Sequence, residues 1–278
     1  MRLSSGFPSV PLLPEPLIDP RRLQPLLGVA CGRFAVDALA ECDSTNSVLL
    51  QRAGQGAPSG SVVVADRQTA GRGSRGRRWE SSPGASLTFS LLWRFRGGVH
   101  RLAGLSLAVG VAVVRALAAS GAPHITLKWP NDILLDEAKL GGILVELQGE
   151  ENRSLAVMGI GINLALPPDF ERTPFHLPPT ALAHVLQPLP ERHELFARLL
   201  SELARVLDTF SCDGFAALRD EWQTYNVWQD RPVCLLREGR VVKEGVCRGA
   251  DQDGALLVQT ASGIERCLSG DLSLRSRS

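Results

Sequence analysis

The chain has 278 residues, 44% hydrophobic and 21% charged, enough to bury a sizeable core as one large domain with a smaller companion. Its net charge of +1 excludes a protein that holds nucleic acid over its whole surface, so any functional charge is local. Six cysteines (Cys31, Cys42, Cys212, Cys234, Cys247, Cys267) lack zinc-type or redox spacing and read as reduced, "MRLSSGFPSV" has no secretory apolar segment, and no uninterrupted apolar run is long enough to span a membrane; the expected setting is cytoplasmic.

Residues 1 to 30 hold six prolines, which forbid a sustained helix and predict an extended arm over residues 1–40. In "ECDSTNSVLLQRAGQGAPSG", Asp43 or Ser44 caps a short helix that a Gly/Pro cluster stops. "SVVVADRQ" reads as a buried strand, "SLTFSLLWRF" as another, and "RLAGLSLAVGVAVVRALAASG" as a buried helix ending at Gly121. "ITLKWPNDILL" is a strand broken by a turn, because Pro130 holds Trp129 extended and Asn-Asp favours turning.

"KLGGILVELQ" and "SLAVMGIGINLAL" form a hairpin around "GEEN". Residues 167–190 are proline-rich with a short helix near "TALAHVL", and Leu195, Leu199, Leu203 and Val206 mark a helical stripe. From Pro232, short strands alternate with turns at "REGR", "DQDG" and "ASG", a small β-barrel of about fifty residues. The expected class is α+β: a mixed, mainly antiparallel sheet flanked by helices over residues 41–229, followed by the barrel at 230–278.

The stretch "AGRGSRGRRW", residues 70–79, matches the dinucleotide fingerprint G-x-G-x-x-G in form only, because Ser-Ser-Pro-Gly leads on into a strand instead of a helix. Gly71, Gly73 and Gly76 permit unusual backbone angles, while Arg72, Arg75, Arg77 and Arg78 can hold phosphate oxygens in bidentate fashion. Such a loop repels itself when empty and orders around an anion. A solvated basic hairpin, or an RGG-type nucleic-acid patch, fits the same residues.

"KWPNDILLDEAKLGGILVE" sets Lys128, Asn131, Asp132 and Lys139 near strand ends, where side chains converge. Asp132 is the candidate holder of Mg²⁺ on substrate phosphates, and Gly141 and Gly142 let a ligand approach the strand backbone. "CDSTN" is equally an ordinary helix cap, and "GIGIN" equally a closely packed strand.

Read in order, "DSTN", "DRQTAGRGSRGRRW", "KWPNDI", "KLGGILVE", "GIGIN" and "GADQDGALLV" with "GDLSLRS" closely resemble the bacterial biotin protein ligases over residues 41–278. The resemblance implies a class II synthetase-like catalytic domain with an SH3-like barrel. It also implies activation of biotin by ATP to biotinyl-5′-adenylate, aided by Mg²⁺, and transfer to a lysine of the biotin carboxyl carrier protein of acetyl-CoA carboxylase, with no prosthetic group. By the same resemblance Ser44, Thr45, Asn46 and Gln68 meet the polar end of biotin, Gly71 to Ser74 close over its carboxylate, and Gly142 lies beside it. Trp79 stacks near adenine, and Asn131, Asp132 and Asn163 serve the nucleotide. Lys139 bridges carboxylate and α-phosphate. Arg72 and Lys139 are the expected catalytic residues, and Arg75 and Arg77 join them in offsetting phosphate charge.

Two features depart from the family pattern. Ser74 stands where many relatives carry arginine, and about forty residues precede "DSTN" where repressor-type relatives have a winged helix-turn-helix, so the expected partners exclude nucleic acid as well as membrane. A homodimer formed by joining central sheets is a further family-based expectation. The competing readings are a lipoate or octanoate ligase of the same superfamily and a non-enzymatic nucleic-acid binder. The second lacks the aromatic interleaving such binding needs.

Overall fold

The computed structural model describes residues 16–150, 152–166, 177–268 and 272–276. In chain order the elements are α1 (Pro20–Leu26), β1 (Ala35–Cys42), α2 (Thr45–Gly54), β2 (Ser61–Gln68), β3 (Ser86–Arg96), α3 (Leu105–Ala119), β4 (Ile125–Lys128), β5 (Asp132–Leu135), β6 (Ala138–Glu150) and β7 (Arg153–Asn163). Then come α4 (Arg192–Asp213), α5 (Arg219–Tyr225), β8 (Pro232–Arg237), β9 (Arg240–Ala250), β10 (Leu256–Thr260), β11 (Gly263–Cys267) and β12 (Leu272–Ser276).

Seven strands form one sheet in the order β1-β2-β3-β7-β6-β5-β4, antiparallel except for the parallel β1–β2 pair. Strand alternation decides what each face holds. Val62, Val64, Leu91 and Met158 point into the main core, where Phe89 meets Phe196 of α4 edge-on with ring centroids 4.9 Å apart. Their neighbours Val63, Leu92 and Val157 point the other way and pack with Leu49 and Ala53 of α2. At the start of α2 this second face borders the cavity described below.

Helix α3 is apolar nearly all round because it is buried all round, from Leu105 to Leu117. The longer stretch Val99–Ala119 has the length and composition of a membrane span, yet 67% of it is buried inside the protein.

The extended-arm expectation fails where it can be checked. Asp19 caps α1 by accepting from the Arg21 amide, and Pro20 opens the helix at a position where no intrahelical N–H is needed. The segment is docked: the Asp19 amide donates to Nε2 of His193 at 2.9 Å and the Leu17 amide to Asp66 Oδ2 at 2.8 Å, with Ile18, Leu23 and Leu27 buried. Residues 35–42 form β1, so a boundary at residue 40 cuts a strand. Residues 1–15 lie outside the described set. The short helix expected near "TALAHVL" is a single 3₁₀ turn, Leu182–His184.

The second sheet runs β11-β10-β9-β8-β12 and is antiparallel throughout. It is seated tightly on the first unit. Trp129 Nε1 donates to the Gly254 carbonyl at 3.1 Å, and Gly254, at φ +77°, lies so near the Gly104 backbone that a Cβ would come within 2.6 Å of its Cα.

Candidate active site

Two elements bring the first charged group together. β4 and β5 pair so that Lys128 stands opposite Asp132, and the turn between them carries Asn131. Across the next pair Asp132 stands opposite Gly142, and here the register slips: Leu134 faces Lys139, leaving Leu140 as an extra residue. This bulge turns Lys139 onto the face of Asp132, where plain alternation from Gly142 would aim it at the core. The Lys139 backbone is fixed from outside by Pro178 and Thr180, at 2.7 and 2.9 Å.

The result is one carboxylate between two ammonium groups. Asp132 Oδ2 accepts from Lys128 Nζ at 3.0 Å and Oδ1 from Lys139 Nζ at 2.5 Å. Asp132 and Lys128 have side chains only 7% and 5% exposed. Burial alone would raise the Asp132 carboxyl, but Lys139 and Lys128 outweigh it and hold the group well below the usual carboxylate range. Burial pushes Lys128 down to about 8 against the pull of Asp132. Its ammonium also lies 5.4 Å from the centre of the Trp228 ring.

The magnesium role expected of Asp132 does not fit this arrangement. Both of its oxygens are taken by cations, and no cluster of three or more His, Cys, Asp or Glu side chains suited to a metal occurs among the described residues. A metal carried on nucleotide phosphates requires no ligand from it.

The polar end of the cavity sits at the start of α2. Gln68 Oε1 accepts from the Thr45 amide at 2.7 Å and from its hydroxyl at 3.1 Å. Ser90 Oγ lies 2.7 Å from Thr45 Oγ1 and 2.5 Å from Asn46 Oδ1. These side chains are buried, with Ser44 beside them as the N-cap residue. The expected cap takes an unusual form: the Ser44 side chain bonds no helix amide, and Asp43 accepts from the Ser44 amide instead.

Glycines on β7 let the cavity close down. A Cβ on Gly159 would collide with the Asn46 amide, and one on Gly161 with the Trp79 indole. Asn46 and Trp79 therefore lie on successive same-face positions, about 7 Å apart along the strand, with Asn163 next. Trp79 Nε1 donates to Thr88 Oγ1 at 3.3 Å, Asn163 to the Thr180 carbonyl at 3.0 Å, and Asn131 to the Ile143 carbonyl at 2.8 Å.

The arginine loop is a folded hairpin. Arg72 and Arg78 pair as a bridge, the Gly73 amide donates to the Arg77 carbonyl at 2.7 Å, and a 3₁₀ turn spans Ser74–Gly76. Its guanidinium groups are held by acceptors, among them the charged Glu146. Arg72 binds Glu146 through both terminal nitrogens at 2.9 and 2.6 Å, Arg77 donates to the carbonyl and hydroxyl of Ser74, and Arg78 to the Thr69 carbonyl.

These parts enclose a cavity of about 360 Å³. Ser44, Thr45, Asn46 and Gln68 line one end; Arg72, Gly73, Ser74 and Arg77 form its lid; Trp79, Asn131, Asp132, Lys139, Gly142 and Asn163 complete the wall. Gly71 and Arg75 do not reach it. Gly71 is pressed against the Trp79 backbone, and Arg75 points away to the Leu272 carbonyl and the Ser273 hydroxyl on β12.

Sequence reasoning set Lys128 among the converging side chains without a specific contact and missed Arg275 altogether, though both line the cavity. Arg275, on the last strand, has its guanidinium lowered by burial while Asp132 raises it. Its only signal was the terminal "SLRS", and nothing in that stretch shows that the small sheet folds back to the site.

A cavity with a polar amide-rich end, an aromatic wall and a convergence of cations suits a small polar acid beside a nucleotide. Comparison with known proteins gives the same direction. Residues 39–163 match the Biotin/lipoate A/B protein ligase family, and residues 230–275 match the biotin protein ligase C-terminal domain. The chain is 37% identical to the bifunctional ligase/repressor BirA of Escherichia coli, over 95% of this chain and 81% of that one. It is also 37% identical to the biotin acetyl-CoA-carboxylase ligase of Mycobacterium tuberculosis, over 93% and 96%. The Aquifex aeolicus biotin protein ligase, solved in complex with biotin and ATP, superposes with a TM-score of 0.73 at 30% identity, covering 87% of this chain and 99% of that one. This chain belongs to the biotin protein ligase family.

Proposed function

We propose that this enzyme joins biotin to one lysine of the biotin carboxyl carrier protein of acetyl-CoA carboxylase, using ATP. The observation that carries the reading is the meeting of Lys128, Lys139 and Arg275 around Asp132, between the Asn46 end and Trp79 of one cavity. A biotin carboxylate oxygen attacks the α-phosphorus; the new O–P bond forms as the bond to the bridging oxygen breaks, and pyrophosphate leaves. Two anions must approach for this, and the cations offset the charge that gathers on the transferring phosphorus and the leaving group. In the second step the carrier lysine amine attacks the acyl carbon of biotinyl-5′-adenylate, AMP leaves with the acyl–oxygen bond, and the amine loses a proton.

In this reading Thr45, Asn46 and Gln68 orient the ureido ring, Arg72 and Lys139 meet the carboxylate, and Trp79, Asn131 and Asn163 hold the adenosine. Asp132 keeps the two lysines at a fixed spacing. The hairpin lid keeps water from the mixed anhydride. Residues 230–278 act as a second module that supplies Arg275. The six free cysteines support a reducing, cytoplasmic setting. A dimer built by joining central sheets would use an edge strand, and β1 is one of the two edge strands of the large sheet.

The test is direct. The protein is mixed with ATP, magnesium and an apo carrier domain, with biotin in one arm and lipoate in the other, and the carrier is weighed by mass spectrometry. Addition of one biotinyl group only in the first arm is the expected result. Modification by lipoate, or by neither acid, defeats the proposal.

A further inference from the structure

The carboxylate that holds Arg72 is not part of the cavity wall. Glu146 lies on β6, two residues beyond Leu144 and opposite Val157 of β7, on the same face as α2. Its Oε1 accepts from Arg72 Nη1 at 2.9 Å. Its Oε2 accepts from Arg72 Nη2 at 2.6 Å and from Asn46 Nδ2 at 2.8 Å. One side chain thus grips, from behind, a residue of the lid and a residue of the polar end.

Resting on the reading that this end takes biotin, we propose that Glu146 is a positioning residue for biotin: it presents the Arg72 guanidinium and the Asn46 carbonyl to the ligand in one fixed relative geometry.

The physical case has two parts. Arg72 rises from a loop with glycine on either side, Gly71 and Gly73, and its side chain is 42% exposed. A free arginine loses about 2 kcal/mol of rotamer entropy when ordered, and pairing through both terminal nitrogens makes that loss before the ligand arrives while leaving the Nε–H edge unused. The second part concerns hydrogen-bond polarity. Asn46 Nδ2 donates to Glu146 and to the Leu144 carbonyl, at 2.8 and 3.3 Å, so both of its hydrogens are engaged. The amide cannot flip without facing oxygen with oxygen, and its Oδ1, which accepts from Ser90 Oγ at 2.5 Å, keeps its second lone pair for the ligand. An N–H of a ureido ring requires an acceptor at that point.

The experiment measures biotin affinity by calorimetry without ATP, for wild type, Glu146→Ala, Glu146→Gln, Arg72→Ala and the Glu146→Ala/Arg72→Ala double variant. Thermal melting and ATP affinity are recorded for each. Glu146→Ala is expected to weaken biotin binding about tenfold, and Glu146→Gln about threefold, with melting and ATP affinity close to wild type. In pyrophosphate release, KM for biotin rises by more than kcat falls. In the Arg72→Ala background Glu146→Ala costs much less, because the two act together. Unchanged or tighter biotin binding, or simple additivity of the two substitutions, overturns the role of Glu146. Wild type that binds no biotin at all overturns the functional reading first, and Glu146's role with it.

Discussion

Lys128 and Asp132 face each other across the β4–β5 turn with charged atoms 3.0 Å apart, in a place nearly closed to water. Removing the carboxylate leaves a buried ammonium without a counter-ion, while Lys139, 26% exposed, can turn outward. Asp132→Asn is therefore expected to destabilise the protein by about 3 kcal/mol and to halt adenylate formation. Chemical denaturation and pyrophosphate release check the two effects. A variant as stable as wild type would show that the triad does not hold this corner of the fold.

The depressed Lys128 makes nucleotide binding depend on pH. Folded Lys128 loses its proton near pH 8 while the unfolded chain keeps it to about 10.5, so stability from this group rises with pH across that window. Affinity is expected to move the opposite way, because the cavity loses a positive charge and the nucleotide is an anion. ATP binding by calorimetry, from about pH 7 to about pH 9.5, is expected to weaken beyond pH 8. In Lys128→Arg, which stays charged throughout, that inflection disappears.

Arg72→Ala removes a lid cation that is 42% exposed and paired at the rim. The melting temperature is expected to change little, since such pairs contribute under about 1 kcal/mol. The rate of pyrophosphate release is expected to fall about a hundredfold or more. Near-normal release would remove Arg72 from the chemistry.

Gly161→Val drives a side chain into the Trp79 indole. Overpacking of this kind costs about 1–3 kcal/mol, and the displaced ring takes the nucleotide wall with it. KM for ATP is expected to rise about tenfold, and KM for biotin to change little, because Asn46 rests on a different glycine. Equal rises in both constants would mean that the two ends of the groove are not separately built.

Much of this was legible in the chain. β2, β3, α3 and the β6–β7 hairpin announce themselves because each is an apolar run of strand or helix length, and six motifs in order pointed to most of the residues that line the cavity. The failures have separate physical causes. Prolines near the N-terminus were counted as helix breakers, although Pro20 sits at a helix start where it is favoured. β1 reads as small and acidic, "AVDALAEC", and gains its strand form by pairing with β2. The bulge at Leu140 reverses the side on which Lys139 emerges, which no alternation rule forecasts. Glu146 and Arg275 look like ordinary surface charges until tertiary structure shows what they touch.

The tip of the lid is moored to the end of the chain. Arg75 grips the Leu272 carbonyl and the Ser273 hydroxyl, three and two places before Arg275 enters the cavity. Lifting the hairpin means casting off from β12 or dragging it along. If β12 follows, Arg275 leaves the cavity wall together with the lid. The terminal strand is thus a tiller as well as a wall: one displacement would open the cavity on two sides.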